Sequence, residues 1–232
     1  MKHMIAHELL PLADAAASLV ELSVSFSERQ TNVVIEALGG LPFVEYSHYP
    51  EGDFFDPVSG VQFYFHAHPP ERKDYTDFGH FHLFMHLESN DVEKQSATMS
   101  ASETYVDGSE ICHIAGISVD KAGIPIGLFT TNKWVTGGAW LPAEDVCLLL
   151  DSFCASEPVP ENDLFKWVLS VARLFRNEIG ALIRERDKAI ILLQKQRPAE
   201  EILDDRELEV TSWQKIDIEN RLTELRSAMG LL

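Results

Sequence analysis

Two aromatic runs, each carrying a His-x-His pair and separated by a proline pair, most tightly limit how this chain can fold. Residues 61–68 (Val-Gln-Phe-Tyr-Phe-His-Ala-His) and 78–87 (Phe-Gly-His-Phe-His-Leu-Phe-Met-His-Leu) are rich in the aromatic and β-branched residues that suit a pleated surface. Pro69-Pro70 ends the first run, and 69–79 reads as a loop, so the two runs are expected to pair antiparallel.

Residues two apart on a strand share a face. His66 and His68 therefore go with Tyr64, and His80, His82 and His86 go with Phe84. A register that pairs His68 with His80 and His66 with His82 brings four imidazoles onto one patch. Opposite side chains would then stand ~5 Å apart at Cβ. One ion with metal–nitrogen bonds of ~2.0–2.1 Å can gather three of them. A slip of one residue would send one pair to the other face.

The candidate metal ligands are therefore His66, His68, His80, His82 and His86. His48 and His113 are further candidates, and Glu71, Asp74, Asp77, Asp53 and Asp56 could supply an oxygen ligand or a base. Imidazole-rich sites suit a divalent Zn, Fe, Cu or Ni ion. Two other readings use the same residues: metal-free acid–base imidazoles, and a hydrogen-bonded polar strand face. His113 alternates with Ile111, Ala115, Ile117 and Val119, an apolar set, so it is expected to be a core residue outside the ligand set.

The remaining texture frames these strands. Residues 12–39 read as two helical pieces, with Ser27 and Gln30 as a capping box and a stop at Gly39-Gly40. A strand is expected at 43–49, broken by Pro50 and Gly52, and a hairpin at 111–119 and 124–131. The polar segment 88–104 reads as a loop. Pro142 opens a helix with Glu144 and Asp145 in its first turn. Residues 163–196 are expected as one long helix, and a last helix carries Leu208, Trp213, Ile216, Leu222 and Leu225 to Gly230. The fold class is thus α+β: a central antiparallel meander of four to five strands, flanked by N-terminal helices and a C-terminal helical hairpin.

Charge divides the chain. Residues 1–159 hold 7 Lys/Arg and 23 Asp/Glu, a net of −16, and 160–232 hold 12 and 14, a net of −2. We read 1–159 as an acidic α+β domain and 160–232 as a helical hairpin packed on it. So acidic a field disfavours nucleic acid and anionic lipid as partners. Cys112, Cys147 and Cys154 are an odd number without CxxC spacing, which fits a reducing compartment. With no signal-peptide pattern, and no run of ~18 uninterrupted apolar residues, a cytoplasmic location is expected.

Gly79-His80-Phe81-His82 resembles the first cupin motif, but His86 or Leu87 stands where that motif has its Glu, and Thr130 stands where the second has its His. A closer resemblance covers about 42–143. Tyr64-Phe65-His66-Ala67-His68, Gly79-His80-Phe81-His82 and Phe129-Thr130-Thr131-Asn132-Lys133-Trp134-Val135-Thr136-Gly137 resemble an uncharacterised bacterial family of unknown function. That resemblance implies a bacterial, cytosolic source and no catalytic assignment. The expected function is transition-metal binding, in a small metalloenzyme (oxygen-dependent or hydrolytic, acting on a small molecule) or in an accessory protein. The rival is a metal-free interaction protein acting through its C-terminal helices, with a homodimer formed through them.

Overall fold

In the computed structural model, which describes residues 6–69, 77–87, 111–159 and 161–231, the chain opens with α1 (Ala6–Glu28) and α2 (Val33–Leu38). α1 buries Ala15, Leu19, Leu22 and Phe26 on one stripe. It is also the one described helix long and apolar enough, over Leu9–Glu28, to cross a membrane by length and composition. The cap of α2 is not the expected Ser27–Gln30 box. Gln30 has left-handed backbone (φ 53°), and Asn32 accepts from the Val34 and Ile35 N–H groups at 2.9 and 3.0 Å. Gly39 closes α2 in the left-handed conformation, as its sequence predicts.

One sheet of six antiparallel strands follows in chain order: β1 (Tyr49–Asp56), β2 (Val61–His66), β3 (Gly79–His86), β4 (Ile111–Val119), β5 (Pro125–Thr131) and β6 (Val210–Lys215). The first five form the expected meander. β1 lies later than predicted and runs through Pro50 and Gly52, absorbing them in a register irregularity between Tyr49 and Phe54. β6 corrects the expected last helix: Trp213 pairs with Phe129, and the Thr211 and Ser212 hydroxyls bond Thr130 Oγ1 at 2.8 and 2.6 Å. The helix itself is confined to α7 (Ile218–Ala228). A short helix, α3 (Lys133–Thr136), follows β5, and α4 (Ala143–Ala155) starts just after Pro142.

The expected long helix is two, α5 (Asp163–Leu174) and α6 (Arg176–Gln196), broken at Phe175 (φ −115°, ψ 22°). The break turns the Phe175 ring into the core, where it is 2% exposed. α4, α5 and α6 cover one face of the sheet, and α1 packs against α5. There Phe81 meets Trp167 at 5.2 Å between centroids, and Phe54 meets Phe165 at 4.7 Å. The 88–104 segment and the carboxylates Glu71 and Asp74 lie outside the described residues.

Candidate metal centre

The opposite face of the sheet carries the histidines. β2 and β3 pair His66 with His80 and Tyr64 with His82. The expected pairing of His68 with His80 is thus displaced by two residues along the ladder. An even displacement keeps every side chain on its face, so the imidazoles still converge, with a different set closest together. His66, His80 and His82 each offer a ring nitrogen, and these three atoms lie within 4.8 Å of one another. His66 Nε2 and His80 Nε2 are 2.8 Å apart. Two neighbouring ligands on one ion stand roughly 2.9–3.4 Å apart for bonds of ~2.0–2.1 Å. The observed pair needs little adjustment to hold one.

Two of the three ligands are held from behind. His80 Nδ1 is 3.0 Å from the buried Asp77 carboxylate, the carboxylate–histidine arrangement that orients metal-bound imidazoles. His82 Nδ1 is 3.1 Å from His113 Nε2, and His113 Nδ1 is 3.3 Å from Thr131 Oγ1. Phe129 forms an apolar wall, with its ring centroid 5.1 Å from that of His80 and 5.6 Å from that of His82. Gly116, paired with Phe129, leaves space for that ring: a Cβ there would stand 2.1 Å from Phe129 Cζ.

Burial keeps His66, His82 and His113 neutral. His80 and His82 are each 1% exposed, and His113 is 9% exposed. Burial, reinforced by His80, His68 and His48, pushes His66 down to about 2. His82 is pushed well below the ordinary histidine range by burial and then by His80, His113, His66 and His48. Burial, then Arg186 and His80, lowers His113 to about 3. A neutral imidazole can offer one nitrogen lone pair to an ion while keeping its proton on the other, so no net proton release is needed at pH 7.

The other predicted residues divide around this centre. The His68 ring lies 4.9 Å from His66 and 5.1 Å from His80, at the rim of the three-nitrogen group. His86 lies apart, with its Nε2 2.7 Å from Gln62 Oε1 and its ring against Phe55. His48 stacks on Tyr64 at 3.6 Å, and its Nδ1 is 3.0 Å from Asp53 Oδ1. Gln62 donates to the other Asp53 oxygen at 2.9 Å. Asp56 instead closes the β1–β2 turn, accepting from the Val58 and Ser59 N–H groups.

His113 is the residue that alternation misplaces. Leu83 pairs with Ala115 and Phe84 with His113, so Ile114 is an extra residue in β4. That bulge turns His113 away from the core side of Ala115 and Ile117 and onto the side of His82. The stretch around Asn132 proves architectural. Buried Asn132 caps α3 and donates to Ile202 O at 2.7 Å, and Trp134 Nε1 donates to Leu208 O at 3.0 Å.

Neither the curated proteins nor the solved structures include a match to this chain. A family model does match, over residues 13–216, which takes in every described strand and all three converging histidines. The chain thus belongs to a family of uncharacterised function, described as Domain of unknown function (DUF6969).

Proposed function

We propose that this protein binds a divalent transition metal through His66, His80 and His82. The observation that carries this reading is the convergence of three ring nitrogens within 4.8 Å on a buried sheet face. Two features support it. The ligands are imidazoles, which suit Zn, Cu, Ni or Fe, and no thiol shares the site, since Cys112 points to the opposite side of β4. Asp77 gives His80 the carboxylate partner that raises ligand basicity.

Three protein ligands leave a position for water or substrate on a tetrahedral ion, the arrangement of catalytic rather than structural sites. We therefore favour a small metalloenzyme, hydrolytic or oxygen-dependent, over a storage or purely structural role. The first test is elemental analysis of protein purified without a histidine tag, followed by zinc titration, with His66→Ala/His82→Ala alongside. One equivalent bound by the wild type and lost in the variant is expected. Absence of metal and failure to take up zinc would return these histidines to a hydrogen-bonded polar face.

A further inference from the structure

We infer that Asp77 and the His113–Thr131 pair are positioning residues that decide which nitrogen of His80 and His82 is left bare, so that both ligate through Nε2. The inference rests on the metal reading above and adds the atoms and the groups that select them. A neutral imidazole carries one proton, on one nitrogen, and accepts at the other. A carboxylate only accepts, so Asp77 Oδ2, 3.0 Å from His80 Nδ1, holds the His80 proton on Nδ1. His80 Nε2 is then a lone pair, facing His66 Nε2 at 2.8 Å. In the metal-free protein the proton between those two atoms belongs to His66. An ion takes its place, and His66 carries its proton on Nδ1 instead.

The second arm is built differently. His82 Nδ1 is engaged with His113 Nε2 at 3.1 Å, so Nε2 is the nitrogen that remains for an ion. Ligation there requires the proton on His82 Nδ1, donated to His113 Nε2. His113 must then carry its own proton on Nδ1, where Thr131 Oγ1 stands 3.3 Å away to accept it. Thr131 can either donate or accept, so this relay runs in two directions, and metal binding selects one of them. A histidine that alternation assigns to the core thereby becomes part of the apparatus that presents a ligand.

The imidazole nitrogens can be read directly by ¹⁵N NMR of the full chain. His80 protonated at Nδ1 in the metal-free protein, and His80, His82 and His113 all protonated at Nδ1 after one equivalent of zinc, are expected. Zinc on Nδ1 of His80 or His82, or His80 protonated at Nε2, would overturn the inference while leaving the metal reading intact. Zinc affinity gives a second readout. Asp77→Ala and His113→Leu should each weaken binding by about 10–100-fold. Asp77→Asn and His113→Gln, whose amide oxygens accept the same proton, should recover most of that loss. Wild-type affinity in all four variants overturns the inference, whereas a wild type that takes up no zinc overturns the metal reading and this one with it. Because the NMR measurement needs no substitution, it decides the matter even if a variant fails to fold.

Discussion

The two faces of the sheet are chemically opposite. On the helix-covered face, Phe63, Phe65, Phe81, Leu83 and Ile117 are 0% exposed and need only neighbours of matching shape. On the other, His80 and His82 are 1% exposed and need a partner for every nitrogen, because a buried polar group without one is costly. Asp77 partners His80 and His113 partners His82, and Thr131 in turn partners His113. Burial alone therefore does not separate core from site. What separates them is that one face is satisfied by packing, while the other is satisfied only through specific hydrogen bonds around three convergent ring nitrogens.

Acid should sharpen this contrast most strongly. His66, His82 and His113 have folded-state values below the ordinary 6.5, so below pH 6.5 the unfolded chain binds protons that the native protein excludes. Metal-free stability should be level above pH 7 and fall as pH drops, by about 2 kcal/mol for each histidine at pH 5. Urea midpoints measured from pH 8 to pH 4.5 check this, and a flat profile would contradict the buried, neutral assignment. Phe81→Ala acts on the packed face alone and should cost about 3–5 kcal/mol at every pH. Its denaturation curve should run parallel to that of the wild type.

Gly116→Ala tests the seam between packing and chemistry. The added Cβ meets Phe129 Cζ at 2.1 Å, so the ring must leave its place beside His80 and His82. A loss of about 1–3 kcal/mol is expected, together with weaker zinc binding measured by competition with a chelator. Unchanged affinity would show that the Phe129 wall contributes nothing to the centre. The smallest effect is on thiols. Burial pushes Cys112 and Cys154 up to about 12, and Cys112 is fully enclosed while Cys154 is partly exposed, so iodoacetamide at pH 8 should modify Cys147 first, Cys154 more slowly and Cys112 only after unfolding. Equally fast modification of Cys112 would mean that the core side of β4 is open.

Much of this architecture is readable from residue patterns, and the exceptions share a physical cause. The aromatic runs around His66 and His80, the hairpin at 120–123 and the stop at Gly39 follow from local alternation and turn chemistry, which act over a few residues. Register is a long-range property: pairing His66 with His80 rather than with His82 satisfies the same alternation and changes which rings meet. The bulge at Ile114 breaks alternation without a glycine or proline to mark it, which hid His113. β6 has one strand neighbour and exposes Trp213, so its pattern mixes polar and apolar residues and is easily read as a helical stripe. The break at Phe175 has no helix-breaking residue to mark it and coincides with burial of the ring in the core.

X-ray absorption spectroscopy of the zinc-loaded, untagged protein tests the central claim most directly, because it counts and identifies the atoms around the ion. The account predicts three imidazole nitrogens at roughly 2.0–2.1 Å, no sulfur, and loss of the signal in His66→Ala/His82→Ala. A sulfur ligand, fewer than three imidazoles, or an unchanged spectrum in the double variant would contradict it.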